Sequence, residues 1–106
     1  MVFQFKSVDN LEELHPAIAK HLPRFIENRM DAFKKFENAI NDNDLEQIRS
    51  YCHGQIGVAA SYNCHQLHEI TLYIQDHARN QALNKIIDML PVLNEYLNNL
   101  KNRIDA

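Results

Sequence analysis

Apolar residues return along this chain at intervals of three and four. The cleanest run lies near the C-terminus, where Leu83, Ile86, Leu90, Leu93, Leu97, Leu100 and Ile104 alternate those two spacings. That period is one face of a helix. Pro91 falls inside the run; a mid-helix proline removes a hydrogen bond and crowds the preceding turn, at a cost of about 3 kcal/mol. The stripe stays in phase on both sides of it, which predicts one kinked helix rather than two. Upstream, Ile26, Met30, Phe33, Phe36 and Ile40 mark another helix. Pro23 suits its first turn, where a missing N–H costs nothing. Asn41-Asp42-Asn43-Asp44 breaks the pattern, and Asp44 with Gln47 after it has the form of a capping box. The helix that follows carries Leu45, Ile48, Cys52, Ile56 and Ala59 as its apolar stripe and ends near Tyr62-Asn63. The next carries Cys64, Leu67, Ile70, Thr71 and Ile74 and fades near His77–Asn80.

Residues 1–8 alternate apolar and polar and are expected to form an extended arm laid on the helices, with Phe3 and Phe5 covering the core. Asp9 or Asn10 can cap a short first helix, with Glu12 or Glu13 completing a capping box, although the His15-Pro16 step limits its regularity. The pattern therefore predicts an all-α fold, an antiparallel four-helix bundle with a short leading N-terminal helix, as a single domain over residues 1–106.

Composition agrees. A chain of 106 residues suits one domain, and 45% hydrophobic residues suit a packed core. Two glycines and three prolines leave little turn chemistry for a many-stranded sheet. The net charge of −3, with acids and bases mixed, argues against nucleic acid as a partner. No apolar run reaches the length of a membrane span and no signal pattern opens the chain, so a cytoplasmic protein is expected. Cys52 and Cys64 are too few for a disulfide scaffold and are expected as reduced core thiols.

The chemistry concentrates on the predicted third helix, counting the short leading one. At 100° per residue, Glu46, Arg49, His53, Gly57 and Ala60 share its outer face, with Ser50 beside them and His53 about a quarter turn from the apolar stripe. Gly57 stands one turn after His53 and Gly54 next to it; they are the only two glycines of the chain. Glycine in an exposed helix costs about 1 kcal/mol relative to alanine. Side chains cleared from around a histidine let a docking partner reach it. Close helix packing or a bend at Gly57 is the alternative explanation.

The stretch Asn43 to Gly57 resembles the signature of histidine-containing phosphotransfer (HPt) domains: an aspartate-led helix, a small residue, the accepting histidine, and glycine four positions on. The similarity extends through Tyr62-Asn63-Cys64 and the ladder Leu67, Ile70, Thr71 and Ile74. Upstream it takes in Leu22 to Ile40, so that it covers roughly residues 10–100. Two positions depart from the family pattern. Gln55 stands where an apolar residue is usual, and Ile56 where a lysine is usual.

The resemblance implies that His53 exchanges a phosphoryl group with the aspartate of a response-regulator receiver domain, alone or in a hybrid histidine kinase. Glu46, Arg49, Ser50, Gly54, Ile56, Gly57 and Ala60 would form the docking face. It implies a phosphocarrier without autonomous catalysis or cofactor, acting as a monomer, since the receiver supplies metal and electrostatic stabilisation. An imidazole is largely a neutral nucleophile near neutral pH, and no phosphate loop or nucleotide motif is present.

Two other readings stand beside it. An HPt-like adaptor would keep the fold and lose the phosphate, in line with the missing lysine. A metal-binding bundle would use Cys64 and His68, four apart, with His65, Cys52 and His53 nearby. Cys64 lies on the core stripe, however, and His15, His21 and His77 lie near helix ends as structural or solvated residues.

Overall fold

The long helices follow one another with three-residue links: α2 (Leu22–Asn41), α3 (Leu45–Ser61), α4 (His65–Arg79) and α5 (Leu83–Asp105). A 3-10 turn at Leu11–Glu13 and the single-turn α1 (Pro16–Ala19) precede them. This is the computed structural model of the chain; it describes residues 3–105, so Met1 and Val2 of the expected arm lie outside the described residues. No strand occurs among the described residues.

Each link is built the same way. Asn43, Asn63 and Gln81 have φ of 53°, 56° and 54°, in the left-handed region. The Asn43 N–H donates to Ile40 C=O and the Asp44 N–H to Ala39 C=O. The same pair recurs as Asn63 to Ala60 with Cys64 to Ala59, and as Gln81 to Ala78 with Ala82 to His77. This is the Schellman pattern, which satisfies the last carbonyls of a helix and normally uses glycine. Asparagine tolerates that conformation better than most residues, which accounts for Asn43 and Asn63. Scarcity of glycine therefore did not mean scarcity of tight turns.

α2 packs against α3 and α5, and α4 against the same two helices. The core between them takes Phe25, Ile26, Phe33 and Phe36 from α2, and Ile48, Cys52 and Ala59 from α3. Leu67, Ile70 and Ile74 enter from α4, and Ile86, Leu93 and Leu97 from α5. α5 is continuous through Pro91, which faces solvent. Ile87 C=O lacks the usual partner there because proline has no N–H.

In two helices the stripe differs from the expected one. Met89 is sealed in α5 and Leu90 only half-buried; Gln55 is sealed in α3 and Ile56 half-exposed. Gln55 lies about 30° from the centre of the core face of α3 and Ile56 about 70°; in α5 Met89 lies about 40° from it and Leu90 about 60°. Geometry outweighed hydrophobicity. Met30, expected on the core stripe, is half-buried at its edge.

The N-terminal arm also differs in its anchoring. Asn10 leads the 3-10 turn without a side-chain cap, so the expected capping box does not form. Asp9 turns inward instead. Its Oδ1 accepts from the Gln66 N–H in the first turn of α4 at 2.9 Å, and its Oδ2 from the Tyr96 hydroxyl. Cys64, at the N-cap of α4, supplies no side-chain cap, so Asp9 caps that helix from another part of the chain. The Lys6 N–H donates to the Glu69 carboxylate, Gln66 Nε2 to Ser7 C=O, and Phe3 packs edge-on against Tyr73. The arm thus occupies the flank of α4 that carries Gln66, Glu69 and Tyr73, beside α5.

Candidate histidine docking face

Asp44 starts α3. Its Oδ1 accepts from the Gln47 N–H at 3.1 Å, closing the capping turn expected from the sequence. With Gln55 rather than Ile56 in the core, the centre of the buried face shifts away from His53. His53 then lies about a third of a turn from it, not a quarter, and is exposed midway along α3.

Glu46, Arg49, Ser50, Gly54, Gly57 and Ala60 are likewise exposed, while Ile56 is half-buried at the edge of this face. A Cβ placed on Gly54 or on Gly57 would meet no atom within 4 Å. Neither glycine serves close packing between helices. Close packing is thereby removed as a reason for Gly57, and the surface around the histidine is open. The Ser61 hydroxyl donates to Gly57 C=O at 3.1 Å, a bond within the helix that leaves the outer face clear.

Beneath the face lies a polar cluster. Gln55 Nε2 donates to Thr71 Oγ1 on α4, and the Thr71 hydroxyl donates to Leu67 C=O. The Tyr51 hydroxyl and Gln55 Oε1 are sealed from solvent without a hydrogen-bond partner. Tyr51 stacks on Phe36 at 4.2 Å. Burial raises its phenol above the ordinary range, against smaller opposing effects of Gln55 and Arg29. The apolar spacing of α4 puts Thr71 on its core ladder; its pairing with Gln55 follows only from the packing of α3 on α4.

On α4, His68, Leu72 and Gln75 form the flank opposite the arm. Leu72 is 44% exposed there. The sequence reading missed it, although a leucine off the Leu67–Ile70–Ile74 ladder is the signal that could have found it.

The thiols give little to a metal. Burial pushes both Cys52 and Cys64 up to about 12, so the thiolate a metal requires is disfavoured. Among the described residues no three His, Cys, Asp or Glu side chains converge on a metal-sized site. Nor is any helix among them long and apolar enough to cross a membrane. In comparisons with known proteins, no family model, curated protein or solved structure matches this chain.

Proposed function

We propose that this chain is a histidine phosphocarrier of the HPt type, exchanging a phosphoryl group between His53 and the aspartate of a receiver domain. The observation that carries the proposal is an exposed histidine at mid-helix flanked by two glycines around which a Cβ would touch nothing. A glycine in such a place sacrifices helix stability, and the open surface it leaves fits a partner that must bring its own reactive group to the imidazole.

The fold we assign with it is the antiparallel four-helix bundle of that family. Three-residue links of one geometry and the packing of each long helix on two others support it. In the transfer, the lone pair of an imidazole nitrogen attacks phosphorus while the acyl-phosphate P–O bond breaks and the carboxylate leaves. The receiver contributes the metal and the charge stabilisation. This chain contributes a fixed, accessible imidazole on a rigid helix, and it acts as a cytoplasmic monomer.

The test is incubation with a panel of receiver domains phosphorylated by acetyl phosphate, scored for acid-labile, base-stable label on this chain. Wild type should take up label and His53→Gln should not, with unchanged helical content. Label that persists in His53→Gln and maps to His65 or His68 would overturn the assignment.

A second reading has one specific observation in its favour. Ile56, in the position where the resemblance expects a lysine, places a half-exposed apolar side chain beside His53. On that reading the same face is an adaptor surface that binds a signalling partner without taking phosphate.

A further inference from the structure

α2 is charged differently on its two sides. The groove it makes with α5 is lined by Glu27, Asp31 and Glu37 together with Lys34 and Lys101. The groove it makes with α3 is lined along two adjoining stretches that share Arg29, with Arg24 in one and Lys35 in the other. No aspartate or glutamate lines either stretch. This is a local reversal in a chain whose net charge is −3. The ion pairs among the described residues are Lys101–Asp105 and Arg103–Glu12, so none of the three groove cations is held in one, although Asp31 stands one turn before Lys35 on α2.

The groove is continuous with the histidine face. Gly54 and Ser50 line it. Around the outside of α3, His53, Gly57, Ser50 and Gly54 follow one another at steps of about 20–40°. A body resting on His53 and spreading over Gly57, Ser50 and Gly54 crosses only small residues on its way to the groove, with Glu46 two turns before His53 on nearly the same bearing.

We infer that the α2–α3 groove is an electrostatic docking surface for an acidic segment of the partner protein, held by Arg24, Arg29 and Lys35. This inference rests on the phosphocarrier reading and extends the footprint of the partner from α3 onto α2. It also widens the positive surface. Where the resemblance expects a lysine beside the histidine this chain has Ile56, and the three groove cations on the neighbouring helix add to Arg49, which stands one turn before His53 on α3. Three cations spread over about 16 Å of helix neutralise few phosphates, and the negative chain repels a polyanion. An acidic protein surface fits better than nucleic acid.

Charges at the rim of an interface act on encounter more than on the bound complex, and salt screens them. The test compares wild type, Lys35→Glu and Arg29→Glu/Lys35→Glu in phosphotransfer from acetyl-phosphate-labelled receiver domains at low and high salt. Lys35 is exposed, so the single variant keeps the test valid if the double variant folds poorly. At low salt kcat/KM should fall about threefold in the single variant and about tenfold in the double. The saturated rate should stay within about twofold, and the difference should close at high salt. Unchanged kinetics, or a loss that salt does not relieve, would overturn the inference while leaving the phosphocarrier reading intact. No transfer to wild type from any receiver would remove both. Wild-type binding to an oligonucleotide that the double variant loses would assign the groove to nucleic acid and overturn the inference.

Discussion

Gln55 on α3 donates a 2.8 Å hydrogen bond to Thr71 on α4, in a part of the core sealed from solvent. The two residues depend on each other unequally. Thr71 keeps its own donor bond to Leu67 C=O at 2.7 Å when Gln55 is gone, whereas the Gln55 amide has no other partner and its Oε1 already has none. Thr71→Val should therefore cost about 1–3 kcal/mol by stranding a buried amide. Gln55→Met should be neutral or stabilising, since it removes that amide at similar volume. The double variant should lie near Gln55→Met rather than at the sum of the two. Urea denaturation of the four proteins checks this; additive losses would mean that the pair is not coupled as the geometry requires.

Asp9 ties the arm to two helices at once. Asp9→Ala strips the cap from the first turn of α4 and leaves the Tyr96 hydroxyl unpartnered. A loss of about 2–3 kcal/mol is expected, larger than for an ordinary exposed cap. Proteolysis should also begin to cut within residues 3–9. A change below about 0.5 kcal/mol, the level of an ordinary surface substitution, would show that the arm contributes little to the fold.

The third link turns on Gln81 at φ 54°, a region where a side chain with a Cβ is disfavoured. Gln81→Gly should raise stability by about 0.5–1 kcal/mol, the relief at this φ exceeding the entropy that glycine adds to the unfolded chain. Asn43→Gly should gain less, because asparagine already tolerates this conformation. Thermal melts of the two variants decide the order, and a larger gain at Asn43 would contradict it.

Gly57→Leu separates folding from function. The new side chain meets no atom within 4 Å at its Cβ, and leucine is the better helix former by somewhat less than about 1 kcal/mol. The melting temperature should hold or rise. Phosphotransfer to His53 should drop at least about tenfold, about 1.4 kcal/mol in the barrier, because the leucine covers ground a receiver must occupy. Full transfer by a stable Gly57→Leu protein would leave the glycine without its proposed role.

Ile56→Lys tests what the missing lysine costs. A partly exposed charge pair contributes about 0.2–1 kcal/mol, a several-fold effect. Wild type should transfer measurably, and the lysine should raise the rate by no more than about tenfold. A silent wild type that the lysine switches on would favour the adaptor reading of the natural chain.

The sequence by itself determined the helices, because each rests on information local to its own segment. Apolar spacing set α2 to α5, Asp44 and Gln47 set where α3 starts, and in-phase leucines carried α5 through Pro91. The same local arithmetic put His53 and both glycines on an outer face. The tertiary structure decided everything that depends on a second segment. Whether residue 55 or 56 enters the core is a matter of about 20° of rotation, fixed only when α3 settles against α2 and α4. Apolarity favours isoleucine there; the packing of α3 turns glutamine inward instead, and Thr71 gives its amide a partner across the interface. Asp9 reads as a cap for the residues next to it until its carboxylate is found at the first turn of α4, where Cys64 cannot cap. The charge division of α2 is likewise silent in sequence. Arg24, Arg29 and Lys35 are interleaved with Glu27, Asp31 and Glu37, and only the two grooves that α3 and α5 make along the helix sort them.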